Sequence, residues 1–275
     1  MKKVILAFDG SHFSEGAFAF AKQMNSAQPI LLTGVFLPQI DYANLWSYAT
    51  GSSGNSFVPL VEDEEADIIE KNIHRFQELC TVNHIDNRVH KDFFNFTLPE
   101  LKKETRFADL VILGSESFYQ NFTNEEPNQY LKDALHTAEC PVVVVPEHFN
   151  YPETNILAFD SSSSSVYAIK QFAYLFPDLC RNKTLLIYAG NKEEGVAFPD
   201  ESYIEEVFAR HFNDLTLFKL DFNPTKYFST WLDDKGNAIL VTGAFGRSFF
   251  SQLFRSSFVS DVITAHKIPV FITHR

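Results

Sequence analysis

Along the chain, short unbroken apolar runs alternate with longer stretches whose apolar residues recur at helical spacing. Val4–Phe8, Ile30–Leu37, Leu110–Gly114 and Pro141–Pro146 are such runs, and Asn87–Asp92 reads as a shorter strand. Continuous apolar runs mark strands buried on both faces, as in a parallel sheet. Between them, Ser14–Met24, Val61–Val82, Thr97–Phe107 and Asn128–Ala138 have helical character. Glu62, Asp63, Glu64 and Glu65 fall in the first turns of the second helix, where the helix dipole favours acids. Thr97 is placed as N-cap of the third, with Glu100 three positions on. The later chain repeats the order. Strands are expected at Ile156–Asp160, Thr184–Ala189, Leu215–Leu220, Ala238–Gly243 and Pro269–His274. Helices are expected at Ser165–Leu175, Asp200–Phe212, Pro224–Trp231 and Phe258–His266. The prediction is an α/β fold with a parallel sheet covered on both faces.

The repetition extends to identity. Ile-Leu-Ala-Phe-Asp stands at Ile5–Asp9 and again at Ile156–Asp160, 151 positions later. Leu110–Gly114 matches Ile239–Gly243 at an offset of 129, and Pro141–Val145 matches Pro269–Thr273 at 128. A fixed-offset repeat signals duplication of a structural unit. The change of offset leaves about 22 extra residues in the first copy, assigned to the glycine- and serine-rich loop Asp41–Pro59. The boundary falls in Glu147–Glu153, between Pro146 and Pro152, giving domains 1–148 and 152–275.

Composition narrows the class. At 45% hydrophobic residues, each half can bury a core, and most of the 29 phenylalanines belong in it. A net charge of -12 argues against nucleic acid or an anionic membrane as partner, though a small anion held by backbone amides remains compatible. Three cysteines, Cys80, Cys140 and Cys180, without Cys-x-x-Cys spacing fit buried thiols in a reducing compartment. Without a signal-peptide pattern or an apolar run near 18 residues, the expected location is cytoplasmic. No histidine pair has the spacing of a metal site, and no nucleophile–base arrangement can be assembled, so neither a metal nor a catalytic residue is assigned.

In open α/β sheets, ligands bind beyond the carboxyl ends of the strands, where strand order reverses. Asp9, Asp160, Gly114 and Gly243 are expected there. In the second copy Gly243-Ala244-Phe245-Gly246 is followed, nine residues on, by Ser256-Ser257 and a helix start at Phe258. Glycines allow close backbone approach, and a helix N-terminus presents unpaired donors to phosphate. Arg247 and Arg255 lie between and add charge. The bland alternative is a turn and a serine helix cap that bind nothing, and Asp9 and Asp160 can equally be N-caps.

This Gly-x-x-Gly-x9-Ser-Ser pattern after strand four, with an acid ending strand one, resembles the ATP-binding signature of the universal stress protein family. The resemblance spans both halves. It implies two tandem five-stranded, adenine-nucleotide-hydrolase-like α/β sandwiches, packed as a pseudo-dimer through their last strands, Pro141–Val145 and Pro269–Thr273. It also implies ATP or a related adenine nucleotide, with magnesium accompanying it, in the second half. Asp160 would contact adenosine, Gly243, Phe245, Gly246 and Arg247 the phosphate loop, and Ser256, Ser257 and Phe258 the phosphates. Val259 replaces a hydroxyl residue common in the family. The first copy reads Gly114-Ser115-Glu116-Ser117, with Glu125 and Glu126 following, so its phosphate half is degenerate. The expected function is a nucleotide-responsive binding or signalling protein of stress response. The alternatives are an interaction protein that binds no nucleotide, and a slow nucleotide hydrolase or nucleotidyl transferase. Protein partners are not identified by the sequence.

Overall fold

The protein is described from a computed structural model, covering residues 1–37, 63–91, 97–116, 129–188, 198–220, 228, 230–232, 234–243 and 268–273. Strands β1 (Lys2–Phe8), β2 (Ile30–Phe36), β3 (Asp86–His90), β4 (Leu110–Gly114) and β5 (Val142–Val145) belong to the first half. Strands β6 (Thr154–Phe159), β7 (Lys183–Tyr188), β8 (Asp214–Lys219), β9 (Ala238–Gly243) and β10 (Val270–Thr273) belong to the second. All ten form one sheet in the order β3-β2-β1-β4-β5-β10-β9-β6-β7-β8. Each half is parallel and shows the same internal order. The joint is antiparallel: Val270, Phe271 and Ile272 pair with Val144, Val143 and Val142. The last strands of the two halves thus meet, as the pseudo-dimer requires.

Why these residues form these strands is plain from burial. β4, β5, β9 and β10 are buried along their whole length, so every side chain must be apolar, small or hydroxylic. The outermost strands β3 and β8 instead alternate, and β8 carries the strict pattern exposed, half-buried, exposed. β1 starts two residues before the expected Val4. Lys2 and Lys3 keep their side chains near the surface while their backbones pair with Ile30 and Leu31.

Helices α1 (Glu15–Ala27), α2 (Asp63–Val82), α5 (Ser163–Leu175) and α6 (Glu201–His211) contribute to one buried layer. Helices α3 (Thr97–Arg106) and α4 (Gln129–Thr137), with Phe228 and Leu232, pack on the opposite face. α3 begins at Thr97 itself, so this residue is the first of the helix, not the flanking cap expected of it. The sequence pattern missed a single 3-10 turn at Leu179–Arg181, which is too short to have a period. The loop Asp41–Pro59 and the helix expected at Phe258–His266 lie outside the described residues. Of Pro224–Trp231, Phe228, Thr230 and Trp231 are described, and they are helical.

An aromatic seam closes the two halves over the joint. Phe20 of α1 packs edge-on against Phe176, just past α5, with centroids 5.9 Å apart, and also meets Phe149 and Tyr151 of the connecting segment. Phe176 and Phe172 in turn pack against Phe271 of β10. Such pairs add about 0.5–1.5 kcal/mol each beyond the area they bury. Lys2 reaches across from β1 and donates to the Leu175 carbonyl at the end of α5, 2.6 Å away. Burial lowers the pKa of its ammonium, against the opposing pull of Asp178 and Asp109.

Candidate functional site

Strand order reverses at β1 and β4 in the first half and at β6 and β9 in the second. The reversal leaves a crevice at the carboxyl ends of each pair. Asp160 follows β6 directly, and Gly243 ends the neighbouring parallel strand β9. Two residues 83 positions apart therefore stand at the carboxyl ends of neighbouring strands, past the last paired residues Leu157 and Val241. Of the other expected site residues, Phe245, Gly246, Arg247, Ser256, Ser257 and Phe258 lie outside the described residues.

The turn after Asp160 is tight. Ser161 adopts a left-handed backbone conformation (φ 60°), which reverses the chain in one step. The Asp160 carboxylate accepts the Ser162 backbone N–H at 3.0 Å. Ser162 then caps α5, its hydroxyl accepting the Ser165 N–H at 3.1 Å. Asp160 thus orders the entry to the helix without itself being the cap.

Gly243 has a packing reason to be glycine. A β-carbon there would lie 2.6 Å from the carbonyl carbon and oxygen of Ser164, and 2.9 Å from its side chain. The space that sequence reasoning left to a ligand is held on this side by the first turn of α5.

The first half has the same frame with different contents. Asp9 is 4% exposed. One carboxylate oxygen accepts the His12 N–H at 2.8 Å, and the other lies 2.7 Å from the His12 ring Nδ1. An ionised carboxylate only accepts, so the ring donates. Four residues, 10–13, separate Asp9 from the N-cap Ser14, whereas one separates Asp160 from Ser162. The longer loop lets His12 turn back onto the acid. It is pinned by Asn72, which donates to the carbonyls of Gly10 and Ser11, and by Phe13 stacking on Phe8 beneath Arg75. Sequence reasoning missed this role for His12; the three extra loop residues were the available signal.

Two further acids sit at the same end of the first half. Glu116 accepts from the Ser115 hydroxyl at 2.5 Å and from the Glu147 N–H at 2.8 Å. The Glu147 carboxylate accepts the Gly16 N–H in the first turn of α1, 3.1 Å away. Glu116 stands two residues past Gly114 in the segment that matches the glycine loop of the second half. A carboxylate accepting there competes with phosphate for the same kind of donor.

The three cysteines are buried and free. Burial pushes each thiol up to about 12, so none is a thiolate nucleophile near neutral pH. Among the described residues no group of three or more His, Cys, Asp or Glu could hold a metal ion, and no helix is long and apolar enough to cross a membrane.

No protein-family model matches the chain, and no curated protein does. Solved structures do. A universal stress protein from Archaeoglobus fulgidus DSM 4304 aligns with 100% of this chain and 96% of its own, at 16% identity and a TM-score of 0.65. A functionally unknown protein from Pseudomonas aeruginosa PAO1 aligns with 100% of this chain and 92% of its own, at 9% identity and a TM-score of 0.51. A universal stress protein in complex with cAMP aligns with only 46% of this chain, at 20% identity and a TM-score of 0.31, too slight a likeness to argue from. With its palindromic strand order and full-length overlap, the chain has the fold of a universal stress protein, its two five-stranded halves joined edge to edge through β5 and β10.

Proposed function

We propose that the chain is a nucleotide-responsive binding or signalling protein of the universal stress type, built from domains 1–148 and 152–275, working in the cytoplasm. Its ligand is ATP or a related adenine nucleotide, with magnesium accompanying the phosphates. The site is in the second domain, with Asp160 on the adenosine, Gly243, Phe245, Gly246 and Arg247 along the phosphate loop, and Ser256, Ser257 and Phe258 on the phosphates. The observation that carries the reading is the contrast between the two crevices. Asp160 and Gly243 stand at the carboxyl ends of the neighbouring strands β6 and β9, where strand order reverses. In the first half the matching Asp9 is engaged by its own His12, and Glu116 brings a carboxylate beside Gly114. The test is calorimetric titration of the whole chain with ATP. One nucleotide per chain is the expected result; two equivalent sites, or none, would refute it.

A second reading has one observation in its favour. Ser164 alone is enough to require glycine at Gly243, so the position does not demand a ligand. On that reading the protein acts by protein contacts without nucleotide. Purified protein free of adenine nucleotide, together with no heat of binding for ATP, would select it.

A further inference from the structure

The first turns of α1 and α5 are equivalent by their caps. Ser14 accepts from Ala17 N–H and Ser162 from Ser165 N–H, both at 3.1 Å. The second amide of each helix is therefore Gly16 in α1 and Ser164 in α5. In α1 that amide already holds an anion, the carboxylate of Glu147. In α5 the backbone N–H and hydroxyl groups of Ser163 and Ser164 have no hydrogen-bond partner among the described residues. By the repeat, Glu147 corresponds to Arg275, so the second copy has no acidic side chain at that position.

A second observation points to the same place. Thr273 at the end of β10 is 1% exposed, and its hydroxyl has no hydrogen-bond partner among the described residues. Leaving a buried hydroxyl unpaired costs about 1–3 kcal/mol. Its counterpart in the first half is Val145, which carries no such cost. Thr273 is the register partner of Gly243 in the adjacent parallel strand, so their side-chain positions share one face of the sheet. That face carries the first turn of α5, since a β-carbon on Gly243 would meet Ser164. Ser163 is exposed and Ser164 half-buried, so solute can reach the turn.

We infer that the first turn of α5 and the Thr273 hydroxyl together bind an oxyanion, a carboxylate or a phosphate, at the place where the first half uses its own Glu147. The amides of Ser163 and Ser164 donate to it, aided by the positive end of the helix, and the hydroxyl of Thr273 completes the set. This site holds whether or not adenosine binds at Asp160.

The experiment follows the Ser163 and Ser164 amide resonances of the whole chain by NMR. Sodium phosphate and sodium acetate are titrated separately at constant ionic strength. Saturable shifts of both amides with either anion are expected, and the anion that acts identifies the source chemistry. Thr273→Val, which copies Val145 and removes the unpaired hydroxyl, should raise the melting temperature of the anion-free chain and weaken the affinity about tenfold. Adenosine and ATP are then compared. Movement of the same amides by ATP but not adenosine assigns the anion to a nucleotide's phosphates; phosphate or acetate acting while ATP is silent assigns a free anion. Amides that stay still with both anions, shifts that do not saturate, or an unchanged affinity in Thr273→Val would overturn the proposal. A negative ATP calorimetry result leaves it standing.

Discussion

Asp9 and His12 form a closed pair: the acid accepts the histidine's own backbone N–H at 2.8 Å and contacts its ring at 2.7 Å. The carboxylate is buried and the imidazole half-buried, so the ring contact shields the acid from its desolvation cost. His12→Ala should therefore destabilise the protein by about 1–3 kcal/mol, read as a lowered urea midpoint at constant slope. A variant as stable as the parent would show that the ring contact is unimportant.

Nucleotide binding should be one-sided. Gly246→Glu places a carboxylate where the proposed phosphates sit, and like charges repel in a desolvated site. ATP affinity should vanish while circular dichroism stays native. Ser117→Glu, at the matching position of the first copy, should leave ATP affinity unchanged. Binding retained in Gly246→Glu would remove the glycine loop from the site.

Two glycines should prove structural. Gly243→Ala drives a β-carbon to 2.6 Å from Ser164 backbone, and Gly16→Ala drives one to 2.0 Å from the Pro146 carbonyl oxygen. Backbone yields poorly, so each should cost about 1–3 kcal/mol or more. Gly236→Ala is the control: its φ is +63°, but no atom lies within 4 Å of the added carbon. Only the strain of a left-handed alanine remains, about 1 kcal/mol. Thermal unfolding should find Gly16→Ala the most damaging of the three, Gly243→Ala next and Gly236→Ala mildest.

Most of this architecture was legible in the sequence, for a physical reason. Strands buried on both faces leave uninterrupted apolar runs, and Ile5–Asp9 and Ile156–Asp160 advertise the duplication outright. The strand ends that form the crevice followed from topology alone, which is why Asp160 and Gly243 could be paired in advance. What stayed hidden was short-range and reciprocal. His12 folds back on Asp9 because of three extra loop residues, and nothing in their composition announces it. Glu147 lies in the connecting segment, where an acid reads as solvated surface, yet it binds the start of α1. Gly243 was assigned to ligand approach, whereas its nearest neighbour is Ser164, a contact that depends on where a helix settles and not on spacing.

The joint between halves should be indispensable. Val142–Val145, Val270, Phe271 and Ile272 are all buried, with at most 1% of each exposed. Residues 1–150 expressed alone would bare β5 as an apolar edge, and such edges recruit partners. Light scattering should find that fragment dimeric or aggregated. Val143→Asp in the whole chain would bury an unpaired charge and should lower stability by several kcal/mol. A monomeric, stable fragment would contradict the first expectation, and a Val143→Asp chain as stable as the parent the second.

Alkali should weaken the fold through the thiols. Burial raises Cys80, Cys140 and Cys180 to about 12, against an ordinary 9.0. Above pH 9 the unfolded chain loses these protons while the folded chain keeps them, so stability falls as pH rises from about 9 to about 12. Below pH 9 the contribution is fully present. Replacing Cys140 by alanine should flatten part of this slope. At neutral pH, a thiol reagent should label the chain only in denaturant; rapid labelling of the native protein would show that the thiols are accessible.

The antiparallel contact of β5 with β10 has a vectorial consequence. All strands of one half run one way and all strands of the other run the opposite way, so the two crevices open on opposite long rims of a single continuous sheet. A body seated over one mouth leaves the other uncovered. The chain is therefore bipolar: its histidine-closed end and its serine-lined end address separate regions of solvent, with β5 and β10 lying between the two reversals of strand order.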